Sequence, residues 1–292
     1  MSWHKLFEVA GIVILVESEE TPCDRSLQAI VTLYHEISEE NRPDVVFSIR
    51  KLKKKIQLLL NQQELLWEAE DERDIPPALE IHIYRQILQR TFPHFLSLHA
   101  SCVNIDGIAC MFAGQSGAGK SSLCTAALLT GAHYFTDEFS LLSKDGLVYP
   151  FPRPLQWDEE EHPAFDGQNM IQSGLFNKEK FGFLEANTNH LVTSHLWLPK
   201  HVQVEALPLQ MIVLPRYHPD SPEAEMVEIR RGEAMMALPE HIHLHYPDAA
   251  SDIQQLNQRI SNDCKFFRLD FSNVFKAWAL SKDRVQRLAQ LN

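Results

Sequence analysis

The 292-residue chain is 45% hydrophobic and 23% charged, ordinary values for a folded protein, which excludes disorder throughout and leaves room for one large domain or two small ones. Its 27 Lys and Arg face 39 Asp and Glu, a formal net charge of -12. That balance argues against nucleic acid and anionic membrane surfaces as partners, because both attract cationic patches. The longest early apolar run, Val9 to Val16, sits between Glu8 and Glu17 and falls short of the ~20 residues that a membrane-spanning helix needs. Lys5 is the only Lys or Arg before it and no small-residue cleavage site follows, so it does not read as a signal peptide. The five cysteines (Cys23, Cys102, Cys110, Cys124, Cys264) are odd in number and form no C-x-x-C pair. They read as buried small hydrophobes in a reducing, cytoplasmic setting rather than as a disulfide framework or a zinc site.

Residues 1–90 read as a small α/β unit. Leu6 to Val16 is β-branched and apolar, hence strand-like, and Val45 to Ile49 reads as a further strand. A basic cluster (Lys51, Lys53, Lys54, Lys55) and an acidic stretch (Glu64, Glu68, Glu70, Asp71, Glu72, Asp74) read as solvated faces. Pro76-Pro77 punctuates the chain, and Ile81 to Leu88 resumes an apolar periodicity that predicts a helix ending before Pro93.

Residues 91–292 read as a second domain. Leu96 to Ile105 and Ile108 to Phe112 are strand-like runs joined by Asp106-Gly107, a strong hairpin signal. The second strand runs into Gly114-Gln115-Ser116-Gly117-Ala118-Gly119-Lys120-Ser121-Ser122, and a predicted helix over Ser121 to Thr130 ends at Gly131. A short strand His133 to Thr136 leads to Asp137 and Glu138. Further strands are predicted at Leu209 to Pro215, Met226 to Ile229 and Phe266 to Leu269, and helices at Glu233 to Leu238 and Ser251 to Asn262. The alternation of histidines at His241, His243 and His245 predicts a solvated strand or loop, because imidazoles along one strand rarely converge on one ion.

Gly114-x-x-x-x-Gly119-Lys120-Ser121, between a strand and a helix, satisfies the P-loop pattern. Glycines let backbone N–H groups turn onto phosphate oxygens, Lys120 neutralises the outer phosphates, and the Ser121 hydroxyl suits Mg²⁺. The helix N-terminus adds its own preference for an anion. The span from Gly114 to Asp137 holds one helix and a return strand, expected beside the P-loop strand, which carries Asp137 and Glu138 to the carboxyl end of the sheet. Carboxylates there can hold Mg²⁺ or take a proton from an acceptor hydroxyl. Arg153 and Arg216 are the cationic candidates for completing a phosphate or substrate site.

Leu98-His99-Ala100-Ser101, Asp106-Gly107, Gly114 to Ser121 and Thr136-Asp137-Glu138 together resemble the catalytic domain of bacterial HPr kinase/phosphorylase. They resemble more closely the HPr-kinase-related family of natural-product gene clusters, which includes lasso-peptide tailoring kinases. Phe151-Pro152-Arg153-Pro154, Val213 to Tyr217 and Gly232-Glu233-Ala234 also resemble that group. The resemblance implies an α/β P-loop kinase of the HPr kinase C-terminal-domain type, with a small β-containing N-terminal unit. It implies His99 beside the transferred phosphate, Asp137 as general base on an acceptor serine, and Glu138 at a second acidic position where HPr kinase has aspartate. The LEIRGLG-like stretch of HPr kinase, which supports its phosphorylase reaction, has no counterpart here; the corresponding region is Trp157-Asp158-Glu159-Glu160-Glu161. That departure puts dephosphorylation by inorganic phosphate, and HPr itself as substrate, in doubt. The expected activity is ATP- and Mg²⁺-dependent phosphoryl transfer to a Ser or Thr hydroxyl of a peptide or small protein. A small-molecule kinase and a catalytically idle nucleotide-binding module stay open as alternatives, as does assembly into a homo-oligomer.

Overall fold

The structure is a computed structural model that describes residues 3–19, 25–157, 162, 164–184, 191–220 and 223–290. The protein is mixed α/β and divides into two compact units, Met1–Thr91 with Arg153–Lys200 and Phe92–Pro152 with His201–Asn292.

The first unit opens with β1 (Trp3–Val9) and β2 (Ile12–Ser18), antiparallel from Val9↔Ile12 outward. The apolar run read as one strand-like stretch is thus a hairpin, turned at Ala10-Gly11 with both residues at positive φ. Helix α1 (Arg25–Thr32) crosses to β3 (Val45–Leu52), which pairs parallel with β2, and β4 (Lys55–Leu60) and β5 (Glu64–Ala69) complete a five-stranded sheet. Lys51, Lys53, Lys54 and Lys55 are exposed around the β3–β4 turn, and Glu68 on β5 accepts from Lys55 and Gln57. Helix α2 (Ile75–Thr91) begins at the proline pair rather than after it. Pro76 and Pro77 stand in its first turn, where backbone N–H groups have no intrahelical acceptor, so the prolines remove nothing the helix needs. Leu79, Ile83 and Ile87 then repeat every four residues as its buried stripe.

The second unit is built on a hairpin of β6 (Phe95–Ile105) and β7 (Ile108–Ala113), turned at Asp106 (φ 52) and Gly107 (φ 86). Helix α3 (Lys120–Leu129) follows and stops at Gly131. Strands β8 (His133–Thr136), β9 (Phe139–Ser143) and β10 (Leu147–Tyr149) come next. The chain then returns to the first unit. There β11 (Leu155–Trp157), α4 (Gly167–Gln172), β12 (Phe176–Leu184) and β13 (Leu191–Pro199) supply a three-stranded sheet in the order β11-β13-β12. Strand β12 packs on α1 and on the short 3-10 helix Glu72–Asp74, which is why residues 153–200 belong with the N-terminal unit and not in one continuous domain from residue 91.

Back in the second unit, β14 (Leu207–Tyr217) pairs parallel with β7. It is followed by β15 (Ala224–Glu228), α5 (Arg231–Ala237), α6 (Ala249–Arg259), β16 (Lys265–Phe271) and α7 (Val274–Ala289). The sheet order is β10-β9-β6-β7-β14-β16-β15, with β7, β14 and β16 mutually parallel. Strand β10 also pairs with the start of β14, so β6, β7, β14, β10 and β9 close into a ring. Its core includes Leu98, Met111, Phe135, Ile212, Leu256 and Phe266. Cys102, Cys110, Cys124 and Cys264 are buried free thiols; Cys23, like Asp158 to Glu161, lies outside the described residues. Among the described residues, no helix is long and apolar enough to cross a membrane.

Candidate functional site

The glycine-rich turn lies where β7 ends and α3 begins. Gly114 is buried, Gln115, Ser116 and Gly117 are exposed, and Ala118 and Gly119 are half-buried. Gly119 takes a left-handed conformation (φ 94), and a Cβ there would lie 2.5 Å from Cζ of the buried Phe271 ring. A side chain at this position would need both a strained backbone and a displaced core aromatic. Ala118 N donates to Gln115 O at 3.1 Å and Leu123 N to Gly119 O at 2.9 Å, fixing the loop before the helix starts. Ser101 Oγ on β6 donates to Lys120 O, and Thr125 Oγ1 to Ser121 O. Ser121 and Ser122 are half-buried in the first turn of α3.

Lys120 is buried, 6% exposed, and its Nζ donates to Gly114 O at 2.7 Å and Gln115 O at 3.1 Å. The ammonium thus folds over its own loop instead of standing in solvent. Burial lowers its pKa, while the Asp137 and Glu138 carboxylates pull it back up. Burial outweighs that pull.

Asp137 and Glu138 occupy the turn between β8 and β9. Thr136 Oγ1 accepts from Glu138 N and Phe139 N, and Glu138 O accepts from Ala100 N, so the turn is pinned to β6. Strand β8 pairs with β6, not with β7, so β6 lies between it and the P-loop strand. The expected neighbour relation is corrected, but the end of the sheet is the same. Cys102 faces both Thr136 and Met111, which puts Asp137 level with the last residues of β7. Asp137 is buried, and His99 Nε2 on β6 lies 3.1 Å from Glu138 Oε1.

The histidine alternation does not run along one face. His241 ends a 3-10 helix (Leu238–His241), Ile242 bridges to Leu98 on β6, and His243 N donates to Ser97 O. The His243 ring packs against Phe139 (4.7 Å between centroids) and His99 (5.7 Å), with Nδ1 3.1 Å from Ser97 Oγ. Burial lowers the His243 pKa to about 4, and it lowers that of His241, which also feels the charges of Lys120 and His99. His245 instead pairs with the buried Asp252 at 2.7 Å. Sequence reasoning set these histidines aside; the signal for two of them is the apolar Ile242 between, which anchors the segment on β6.

Arg216 is exposed at the carboxyl end of β14, adjacent to the P-loop strand. Arg153 belongs to the other unit, where its Nε lies 3.6 Å from Glu80 Oε1 and its guanidinium lies over the Tyr84 ring, 5.4 Å from the centroid. Among the described residues, no group of three or more His, Cys, Asp or Glu is placed to hold a metal ion. The hard oxygens of the Ser121 hydroxyl and Glu138 carboxylate fit Mg²⁺ that takes its remaining ligands from phosphate and water, an arrangement that needs no such group. No protein-family model matches the chain, and no curated protein matches it.

Proposed function

We propose that the second unit is a P-loop kinase of the HPr-kinase-related type, transferring the γ-phosphate of ATP to a Ser or Thr hydroxyl of a peptide or small protein. One observation carries the reading: the Gly114–Ser121 turn with Lys120 seated on it and the Asp137-Glu138 turn are tied to adjacent residues of β6, Lys120 O accepting from Ser101 Oγ and Glu138 O from Ala100 N. A phosphate cradle, a cation and a carboxylate level with the cradle are the parts that phosphoryl transfer requires. The acceptor oxygen bonds to the γ-phosphorus, the bond from that phosphorus to the β–γ bridging oxygen breaks to release ADP, and the acceptor proton passes to Asp137. Bound Mg²⁺ would neutralise phosphate charge, with Ser121 and Glu138 as its protein ligands. His99, held by Glu138, stands beside the transferred group. Arg216 is the remaining cation for the phosphate or an acidic group near the acceptor. The missing LEIRGLG-like stretch supports transfer in one direction only.

The test incubates the protein with Mg·ATP and HPr, a serine-ending precursor peptide, free serine or simple sugars, and reads a phosphate mass shift. A phosphopeptide is expected from the wild type. Asp137→Asn should keep Mg·ATP binding and lose transfer by about 10²–10⁴-fold, because an amide takes no proton. Undiminished transfer by Asp137→Asn, or phosphorylation confined to free serine or sugars, would overturn the respective part of the proposal.

A further inference from the structure

We propose that Tyr217 is the shelf on which the base of the nucleoside triphosphate lies; the proposal rests on reading the Gly114–Ser121 turn as the phosphate cradle. The groups that act on the transferred phosphate, His99, Asp137 and Glu138, all lie on the β6 side of β7. A triphosphate laid across the turn with its terminal phosphate toward them extends its nucleoside the other way, over the carboxyl ends of β14 and β16. Those strand ends brace the turn directly. A Cβ on Gly114 would lie 3.5 Å from Pro215 O, and Phe271 fills the space beside Gly119.

Tyr217 pairs in register with Phe271, and the two rings lie 5.6 Å apart at 60°. Phe271 is 1% exposed, whereas Tyr217 is 42% exposed. The outer ring therefore extends, into solvent, an aromatic surface that begins against the P-loop. Tyr217 is the last residue of β14, past the buried Val213 and Pro215, and the part of its ring that does not pack on Phe271 faces solvent. Base-on-aromatic stacking uses a π-face that every base has, so the shelf favours nucleotides over bare polyphosphate and does not choose between adenine and guanine.

Titration calorimetry with Mg·ATP, Mg·GTP and Mg·tripolyphosphate tests this. Tyr217→Ala should weaken ATP and GTP by a similar factor, about ten-fold, and leave tripolyphosphate within about two-fold, which also certifies the loop. Tyr217→Phe should restore nucleotide binding, since it keeps the ring. Unchanged ATP affinity in Tyr217→Ala, or an equal loss for tripolyphosphate, would overturn the shelf. If wild type binds neither nucleotide nor tripolyphosphate, the phosphate-cradle reading fails and the shelf falls with it.

Discussion

His243 sits one shell behind His99, and its environment holds it neutral over the range in which free histidine titrates. Burial dominates, lowering its pKa to about 4; Glu138 opposes that shift and His99 adds to it. In the unfolded chain the ring titrates near about 6.5, so between these values the unfolded state binds the extra proton. The stability gained by keeping the ring neutral is complete above about 6.5 and is lost as the pH falls toward about 4. His241, lowered by the same cause, acts in the same direction. His243→Asn keeps a polar atom for Ser97 Oγ and removes the titration. The thermal midpoint of the wild type is expected to fall between pH 7 and about pH 5 by more than that of His243→Asn. Parallel curves for the two proteins would show that this ring carries none of the acid sensitivity.

At the scale of elements, the end of α6 shows an arginine that serves the fold. The Arg231 guanidinium donates to Asn257 O, Ile260 O, Ser261 O and Asn257 Oδ1. Those carbonyls include acceptors left open by the last turn of the helix. Arg231→Ala should cost about 1–3 kcal/mol in urea denaturation, and Arg231→Lys should recover only part of it, because one ammonium cannot reach what the fork spans. A loss below about 0.5 kcal/mol would show that water replaces the fork. The β6–β7 hairpin was legible because Asp106-Gly107 fixes its turn locally, and α3 because a strand, a glycine-rich turn and Gly131 bracket it. The start of α2 was not, since a proline pair reads as a break unless its place in the first turn is known. Helix α7 carries a plain buried stripe, apolar but for Ser281 (Val274, Ala277, Trp278, Ser281, Val285), a signal the sequence reading passed over. In the candidate site, Gly114 to Ser121 is contiguous and readable, and the spacing of His99 and Asp137 acquires meaning only through the resemblance. The placement of His243, Tyr217 and Phe271 depends on which strands become neighbours, and no local pattern states that.

The same dependence on distant neighbours decides what can fold by itself. Read along the chain, the first ninety residues look like a self-contained domain, but the unit to which they belong takes its remaining elements from residues 153–200. Glu80 on α2 is buried, at 6% exposure, and accepts from the Tyr84 hydroxyl and from Gln156 Nε2 at 2.9 Å, with Arg153 Nε at 3.6 Å. Cutting the chain after Thr91 removes the arginine and the glutamine together, leaving a carboxylate at a helix face that has lost its compensating charge. It also removes β12 from α1, and with it Phe176 and Trp197, which pack edge to face at 6.4 Å and are almost fully buried. The first loss acts on α2 and the second on α1. The fragment Met1–Thr91 is therefore expected to retain strand signal in circular dichroism but to melt without a cooperative transition, whereas the full chain melts cooperatively. A sharp transition in the fragment at the midpoint of the full chain would mean that the five-stranded sheet and its two helices are complete by residue 91, and that the second passage of the chain only decorates them.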